Sequence, residues 1–265
     1  MKVSILIPAR FASSRYPGKP LVELRGASGA AKPLIRRSFE AAQRVAGASS
    51  VHVVTDDERI ATAAEAFGAP VIMTSAECRN GTERCAEALA ALGGAELVVN
   101  LQGDALLTPA HFVENLIRRM EEDRDAAVAT PAIRLRPAEV RALQAEEAEG
   151  RVGGTSVVTD SRGRALYFSK RLIPYLPAGS LDAPLSPIRL HIGVYAYRPE
   201  ALELYVRTPP AELELLEGLE QLRFLAAGVP VDVVEVAPPP FALRELNNPE
   251  DVAPIEQALV EAGLE

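Results

Sequence analysis

"KVSILIPARFASSRYPGKPL", residues 2–21, decides the fold: a short Val/Ile-rich run passes directly into a loop punctuated by Pro8, Pro17, Gly18 and Pro20. Such a run, apolar at successive positions, reads as a strand buried on both faces. The pattern returns in "VHVVT" (51–55), "APVIM" (69–73), "ELVVNLQ" (96–102) and "AAVAT" (126–130). Between these runs lie helical stretches. "PLIRRSFEAAQRVA" (33–46) starts on a proline suited to a first helical turn, "DDERIATAAEAFG" (56–68) opens on carboxylates and stops at glycine, and "GTERCAEALAALGG" (81–94) ends on glycines. Strands alternating with helices of this length predict a parallel sheet with right-handed crossovers.

The second half has another rhythm. "TSVVTDSRGRALYFS" (155–169) is two alternating runs around a polar turn, which predicts a hairpin, and "HIGVYAYRP" (191–199) predicts a further strand. "PAELELLEGLEQLRFLAAG" (210–228) reads as a helix, "VDVVEV" (231–236) as a strand and "PEDVAPIEQALVEAG" (249–263) as a last helix. With no repeat and no long linker, the expectation is a single domain over 1–265 with an antiparallel β-subdomain at about 150–198.

Composition narrows the function. The 265 residues carry 28 Lys and Arg against 36 Asp and Glu, a formal net charge of −8. A general nucleic-acid binder needs a basic face, so that class is disfavoured and any anionic ligand has to be met locally. There is no signal-peptide pattern and no apolar run of about 18 residues, so a cytoplasmic protein that makes no membrane contact is expected. Cys78 and Cys85 fit neither a redox pair nor a zinc cluster and are read as reduced thiols.

Local charge sits in the opening loop, at the carboxyl end of the first strand, where open α/β sheets bind ligands. The chain lacks G-x-G-x-x-G and G-x-x-x-x-G-K-[ST], so neither a dinucleotide fingerprint nor a P-loop is present. Side chains supply the cations instead: Arg10, Arg15 and Lys19 together match the charge of a triphosphate. In "VVNLQGDALLTP" (98–109) a second strand ends on Gln102, Gly103 and Asp104. A carboxylate placed there beside phosphates suits Mg²⁺, so Asp104 is the metal candidate. Read alone, His191 is either a structural histidine or a ligand, Tyr195 either packing or binding, and Glu217 with Gln221 a pair on one helix face.

These stretches, with "VVTDDERIA" (53–61), "NGTERCAEA" (80–88), "GRALYFSKRLIP" (163–174), "HIGVYAYR" (191–198), "LEQLRFL" (219–225) and "NNPEDV" (247–252), resemble the sugar-acid cytidylyltransferases, above all the CMP-Kdo synthetase family. The resemblance covers nearly the whole chain in order and spacing. It implies a Rossmann-like, nucleotide-diphospho-sugar transferase fold and transfer of CMP from CTP to a 2-keto sugar acid, with Mg²⁺ and a homodimer paired through the β-subdomain. By resemblance, Arg10, Arg15 and Lys19 hold the triphosphate, Pro8 and Ala9 frame the cytosine, and Asn80, Gly81, Thr82 and Arg84 help hold the nucleotide. Gln102 and Asp104 meet the sugar acid and the metal, while Lys170, His191, Tyr195, Glu217 and Gln221 fall in segments lining the sugar pocket.

The chain also departs from that pattern. Asn247 stands where the family has a second metal-binding Asp and is expected as the second metal ligand through its amide oxygen, without the charge; Ala105 follows Asp104 in place of Glu, and Lys170 replaces an Arg. Lys cannot reproduce a bidentate carboxylate contact, which leaves open another ulosonic acid, such as an 8-amino or sialic-type substrate. A sugar-1-phosphate pyrophosphorylase and a non-catalytic nucleotide binder are the remaining alternatives.

Overall fold

The computed structural model describes residues 1–13, 15–104 and 106–265, so Ala105 lies outside the described residues. The central sheet opens with β1 (Val3–Ala9), whose Val3, Ile5 and Ile7 point to one face while Leu6 points to the other, all fully buried. A small hairpin follows, β2 (Glu23–Arg25) with β3 (Ala31–Pro33). It holds the long "LRGASGAAKPLI" link against the end of the chain, with Ala27 N–H donating to Leu264 O at 2.8 Å. Gly26 is required there, because a Cβ would stand 2.8 Å from Glu265 backbone.

Helix α1 (Leu34–Gln43), β4 (Ser50–Thr55), α2 (Glu58–Ala66), β5 (Val71–Met73), α3 (Gly81–Ala88) and β6 (Leu97–Leu101) complete the alternating half. β5, β4, β1 and β6 lie side by side and parallel, as the alternation predicts. α1, α2 and α4 (Ala110–Glu122) cover one face, packing Ile35, Phe39, Ile60, Leu116 and Met120 on β1 and β6. α3 covers the other face with Cys85 and Ala88.

The second half extends the same sheet. β7 (Val128–Arg134) is followed by α5 (Pro137–Ala148), the hairpin β8 (Thr155–Thr159) and β9 (Ala165–Ser169), then β10 (Arg189–His191) and β11 (Val194–Tyr197). β11 inserts antiparallel between β6 and β7, and β10 between β7 and β8, so the antiparallel part is hydrogen-bonded into the main sheet. The strand expected over 191–199 is thus two strands, broken at Ile192 and Gly193, where Val194 N–H bonds back to Ile192 O at 2.7 Å. That break opens the sheet beside Gln102.

α6 (Pro199–Arg207), α7 (Glu212–Glu217), α8 (Leu222–Ala226), β12 (Val231–Glu235) and α9 (Val252–Glu261) close the chain. The single helix expected over 210–228 is corrected here. Gly218, at φ 61°, takes the left-handed conformation that glycine adopts without penalty, ends α7 and turns the chain before α8 starts. Among the described residues no helix is long and apolar enough to cross a membrane.

Candidate active site

Two adjoining cavities lie outside the carboxyl ends of β1 and β6. The first, about 270 Å³, is walled by Pro8 and Ala9, by Arg10, Arg15 and Lys19 of the opening loop, and by Asn80, Gly81, Arg84, Gln102 and Asp104. Ala9 and Leu101 are strand ends, so the two loops leave the sheet side by side. Gly103 makes that possible: a Cβ there would meet Pro8 O at 2.7 Å. Asn80 caps α3, its Oδ1 accepting from Glu83 N–H at 2.8 Å, which turns the positive end of the helix toward the cavity.

Charges in this cavity are prearranged. Lys19 Nζ is ion-paired with Asp104 and donates to Leu246 O at 3.1 Å, both side chains being less than one-fifth exposed. Arg15 Nη2 donates to Asn247 Oδ1 at 2.8 Å. Buried Arg84 is balanced by Asp56 at 3.1 Å. Arg10 lies exposed on the wall. Cys78 is also on this wall, but burial, then the Glu87 carboxylate, push its thiol up to about 12, so it is a poor nucleophile; Cys85 is buried.

The second cavity, about 560 Å³, shares Arg15, Gln102, Asp104 and Glu220 with the first and adds His191, Tyr195, Gln221, Glu245 and Asn247. Its far wall is neutral and hydrogen-bonding. Tyr195 Oη donates to Gln221 Oε1 at 3.0 Å, leaving the buried Gln221 Nε2 without a partner among the described residues, as a donor for a ligand needs to be. Thr130 donates its proton to Val194 O at 2.8 Å, so it accepts from His191 Nε2–H at 2.9 Å. Nδ1 is then left as an acceptor.

Burial lowers the His191 pKa to about 3. A depressed folded-state value contributes stability above the ordinary pKa of about 6.5, lost as pH falls toward 3. A His191→Gln variant is therefore expected to differ most from the parent at neutral pH, the gap in urea midpoint closing as pH falls from about 6.5 to about 3. A gap independent of pH over that range would show that His191 is not held neutral.

The expected residues are brought together with three exceptions. Thr82 is fully buried beneath the cavities, its hydroxyl and N–H donating to Glu220 Oε2 at 2.7 and 3.1 Å. Glu217 accepts from Ser169 Oγ at 2.8 Å and Lys170 N–H at 2.9 Å, outside both cavities, and the Lys170 side chain lines a separate narrow crevice. Because the chain turns at Gly218, Glu217 and Gln221 share no helix face.

Sequence reasoning passed over Glu220 and Glu245. Glu220 divides the two cavities, and enclosure raises its pKa against the hydrogen bonds from Thr82 and Gly81. Glu245 is raised too, by the enclosing cleft and then by the charge of Asp104, with Asn247, Lys19 and Arg15 opposing. The only signal for Glu220 was its place beside Gln221 in "LEQLRFL"; Glu245 had none.

The cytidylyltransferase family model matches residues 4–233. The chain is 38% identical over 264 residues to the 3-deoxy-manno-octulosonate cytidylyltransferase of Maricaulis maris, covering 99% of each. It is also 38% identical over 262 residues to the 8-amino-3,8-dideoxy-manno-octulosonate cytidylyltransferase of Shewanella piezotolerans, covering 98% of this chain and 99% of that one. Its fold superposes on the solved CMP:2-keto-3-deoxy-manno-octonic acid synthetase complexed with CTP, with TM-score 0.85 and 35% identity over 99% of this chain and 100% of that one. Similarity of this extent, running from one end of the sequence to the other over strand ends that carry the cations, means that the chain belongs to the cytidylyltransferase family.

Proposed function

We propose that the protein transfers CMP from CTP to the anomeric hydroxyl of 3-deoxy-manno-octulosonate (Kdo), releasing pyrophosphate. The observation that carries this reading is the pair of cavities joined through Arg15, Gln102, Asp104 and Glu220: a small one rich in cations next to a larger one with a hydrogen-bonding wall of His191, Tyr195 and Gln221. A nucleoside triphosphate suits the first and a polyhydroxylated acid the second. The reacting hydroxyl oxygen then meets the α-phosphorus at the junction, forming one P–O bond as the bond to the pyrophosphate oxygen breaks, and the hydroxyl proton passes to water.

This chemistry depends on positioning and charge neutralisation. Arg10, Arg15 and Lys19 stabilise the departing pyrophosphate. Pro8, Ala9, Asn80, Gly81 and Arg84 seat the nucleotide, with Thr82 acting from below by fixing Glu220. Gln102, His191, Tyr195 and Gln221 hold the sugar acid through neutral hydrogen bonds.

A divalent cation, Mg²⁺ in this proposal, belongs at the junction. Asp104 offers it a hard oxygen donor, of the kind Mg²⁺ prefers together with phosphate oxygens and water, while the amide oxygen of Asn247 is held by Arg15. Among the described residues no group of three His, Cys, Asp or Glu can hold a metal alone, so phosphates complete such a site. When bound, the cation supplies Lewis-acid polarisation of the phosphate and acidifies the attacking hydroxyl. The acting unit in this proposal is a cytoplasmic homodimer paired through residues 150–198, where edge strand β9 leaves Leu166 63% exposed; a monomeric mass in dilute solution would refute the pairing.

The deciding assay is pyrophosphate release from CTP and Mg²⁺ with Kdo, 8-amino-Kdo and N-acetylneuraminate in parallel, each against a no-sugar control. Release is expected with Kdo. Release with only one of the others would move the assignment to that acid, and silence with all three would leave a nucleotide binder.

A further inference from the structure

We propose that Glu245, on the cavity wall it shares with Asp104, supplies the second carboxylate for the divalent cation, in the place expected for Asn247. The inference rests on the cytidylyl-transfer reading above. Asn247 is already engaged: its Oδ1 accepts from Arg15 Nη2 at 2.8 Å, and its backbone N–H donates to Asp251 Oδ2 at 3.0 Å. That pins the residue beside the opening loop with its one ligating oxygen taken by a cation that is itself needed for phosphate.

Glu245, two residues earlier, lies on the same cavity wall as Asp104, Gln102 and Arg15. Its Oε1 sits 3.9 Å from the position a Cβ on Gly193 would take, at the break between β10 and β11. Gly193 leaves the space between Glu245 and Gln102 open. Two carboxylates lining one cavity repel, and a divalent ion bound by both turns that repulsion into attraction. An amide contributes no charge to such a site, whereas Glu245 adds a second negative charge beside Asp104, whose own charge is shared with Lys19.

Metal-dependent CTP binding tests this without turnover. CTP is titrated calorimetrically into the full-length protein, once with excess Mg²⁺ and once with EDTA, and the ratio of the two dissociation constants gives the gain from the cation. The parent protein is expected to bind CTP more tightly with Mg²⁺. Glu245→Gln, which keeps the size but removes the charge, is expected to cut that gain by at least about 10-fold, since loss of a group that merely supports a metal ligand already costs about 10–100-fold, or to abolish a smaller gain. Its EDTA constant and thermal midpoint should stay near the parent's.

Asp104→Asn should also abolish the gain. Adding Asn247→Asp to Glu245→Gln should restore part of it, because a carboxylate is returned two residues away. A full Mg²⁺ gain in Glu245→Gln, with loss in Asp104→Asn, would overturn the role of Glu245 while the cation site stands. A full gain in both single variants would overturn the cation site itself, and Glu245's role with it.

Discussion

Arg223→Met is expected to destabilise the protein by about 3–5 kcal/mol, because it removes one partner of a buried ion pair and strands the other. The side chain of Arg223 is 2% exposed and that of Glu214 8%. Nε and Nη2 of the guanidinium grip both oxygens of Glu214, at 2.7 and 2.5 Å, in the two-pronged geometry that only arginine offers. Its carbon centre lies 3.9 Å from the Tyr205 ring centroid, and Nη1 approaches Glu83 at 3.5 Å. At roughly 2–4 °C per kcal/mol for a chain of this size, the thermal midpoint falls by roughly 6–20 °C.

The consequence reaches the active site through Tyr205. Its hydroxyl donates to Glu214 Oε1 at 3.2 Å and accepts from Asn80 Nδ2 at 3.0 Å, and Asn80 caps α3 beside the nucleotide cavity. Arg223 is therefore a positioning residue: Arg223→Met should raise KM for CTP even at a temperature where the variant is folded. The double change Arg223→Met with Glu214→Leu should recover most of the stability, since an apolar pair of similar volume often replaces a buried ion pair at little cost. Denaturant midpoints of the single and double variants decide the matter. A single-variant loss below about 1 kcal/mol would mean that this network does not hold the helices together.

The parallel half of this fold was legible because its signals are local. β1 and β6 are continuous apolar runs, and α2 and α3 carry side-chain caps, so strand ends and helix starts could be read from adjacent residues. The cations of the opening loop were legible for the same reason: Arg10, Arg15 and Lys19 are close in sequence and leave one strand end together. What failed was the inference from helical spacing over 210–228. The leucines there suggest a helix face, yet Leu213, Leu215 and Leu216 are exposed, and Gly218 uses its conformational freedom to reverse the chain. That reversal moves Glu217 to the β9 end and brings Glu220 to Thr82. Glu245 could not be read at all, since the cavity wall it shares with Asp104 is assembled only by the tertiary fold. Thr82 shows the opposite error: it lies in a stretch expected to bind nucleotide, yet its side chain is spent on Glu220.

Asp104→Asn is expected to lower kcat with CTP and sugar acid by about a thousandfold while leaving the fold intact, and the structure separates these two effects. In the unliganded protein Asp104 serves as counterion to Lys19, a largely buried ammonium that keeps a second acceptor in Leu246 O at 3.1 Å. Losing the carboxylate charge therefore costs stability by about 1–3 kcal/mol, the range for a hydrogen bond to a charged group. The catalytic loss is larger because in the proposed site the same carboxylate would anchor the cation at the developing charge, an effect worth several kcal/mol and hence about three powers of ten in rate. The ion pair also fixes a sign. With Asp104 neutral, Lys19 is released toward the triphosphate, so CTP binding in EDTA should strengthen while the Mg²⁺-dependent gain disappears. A purely structural role for Asp104 predicts the reverse pattern: weaker CTP binding with and without Mg²⁺, in step with the loss of thermal midpoint. Calorimetric titration of CTP, thermal melting and single-turnover pyrophosphate release on the one variant distinguish the two, and near-normal turnover at ordinary Mg²⁺ would remove Asp104 from the metal site altogether.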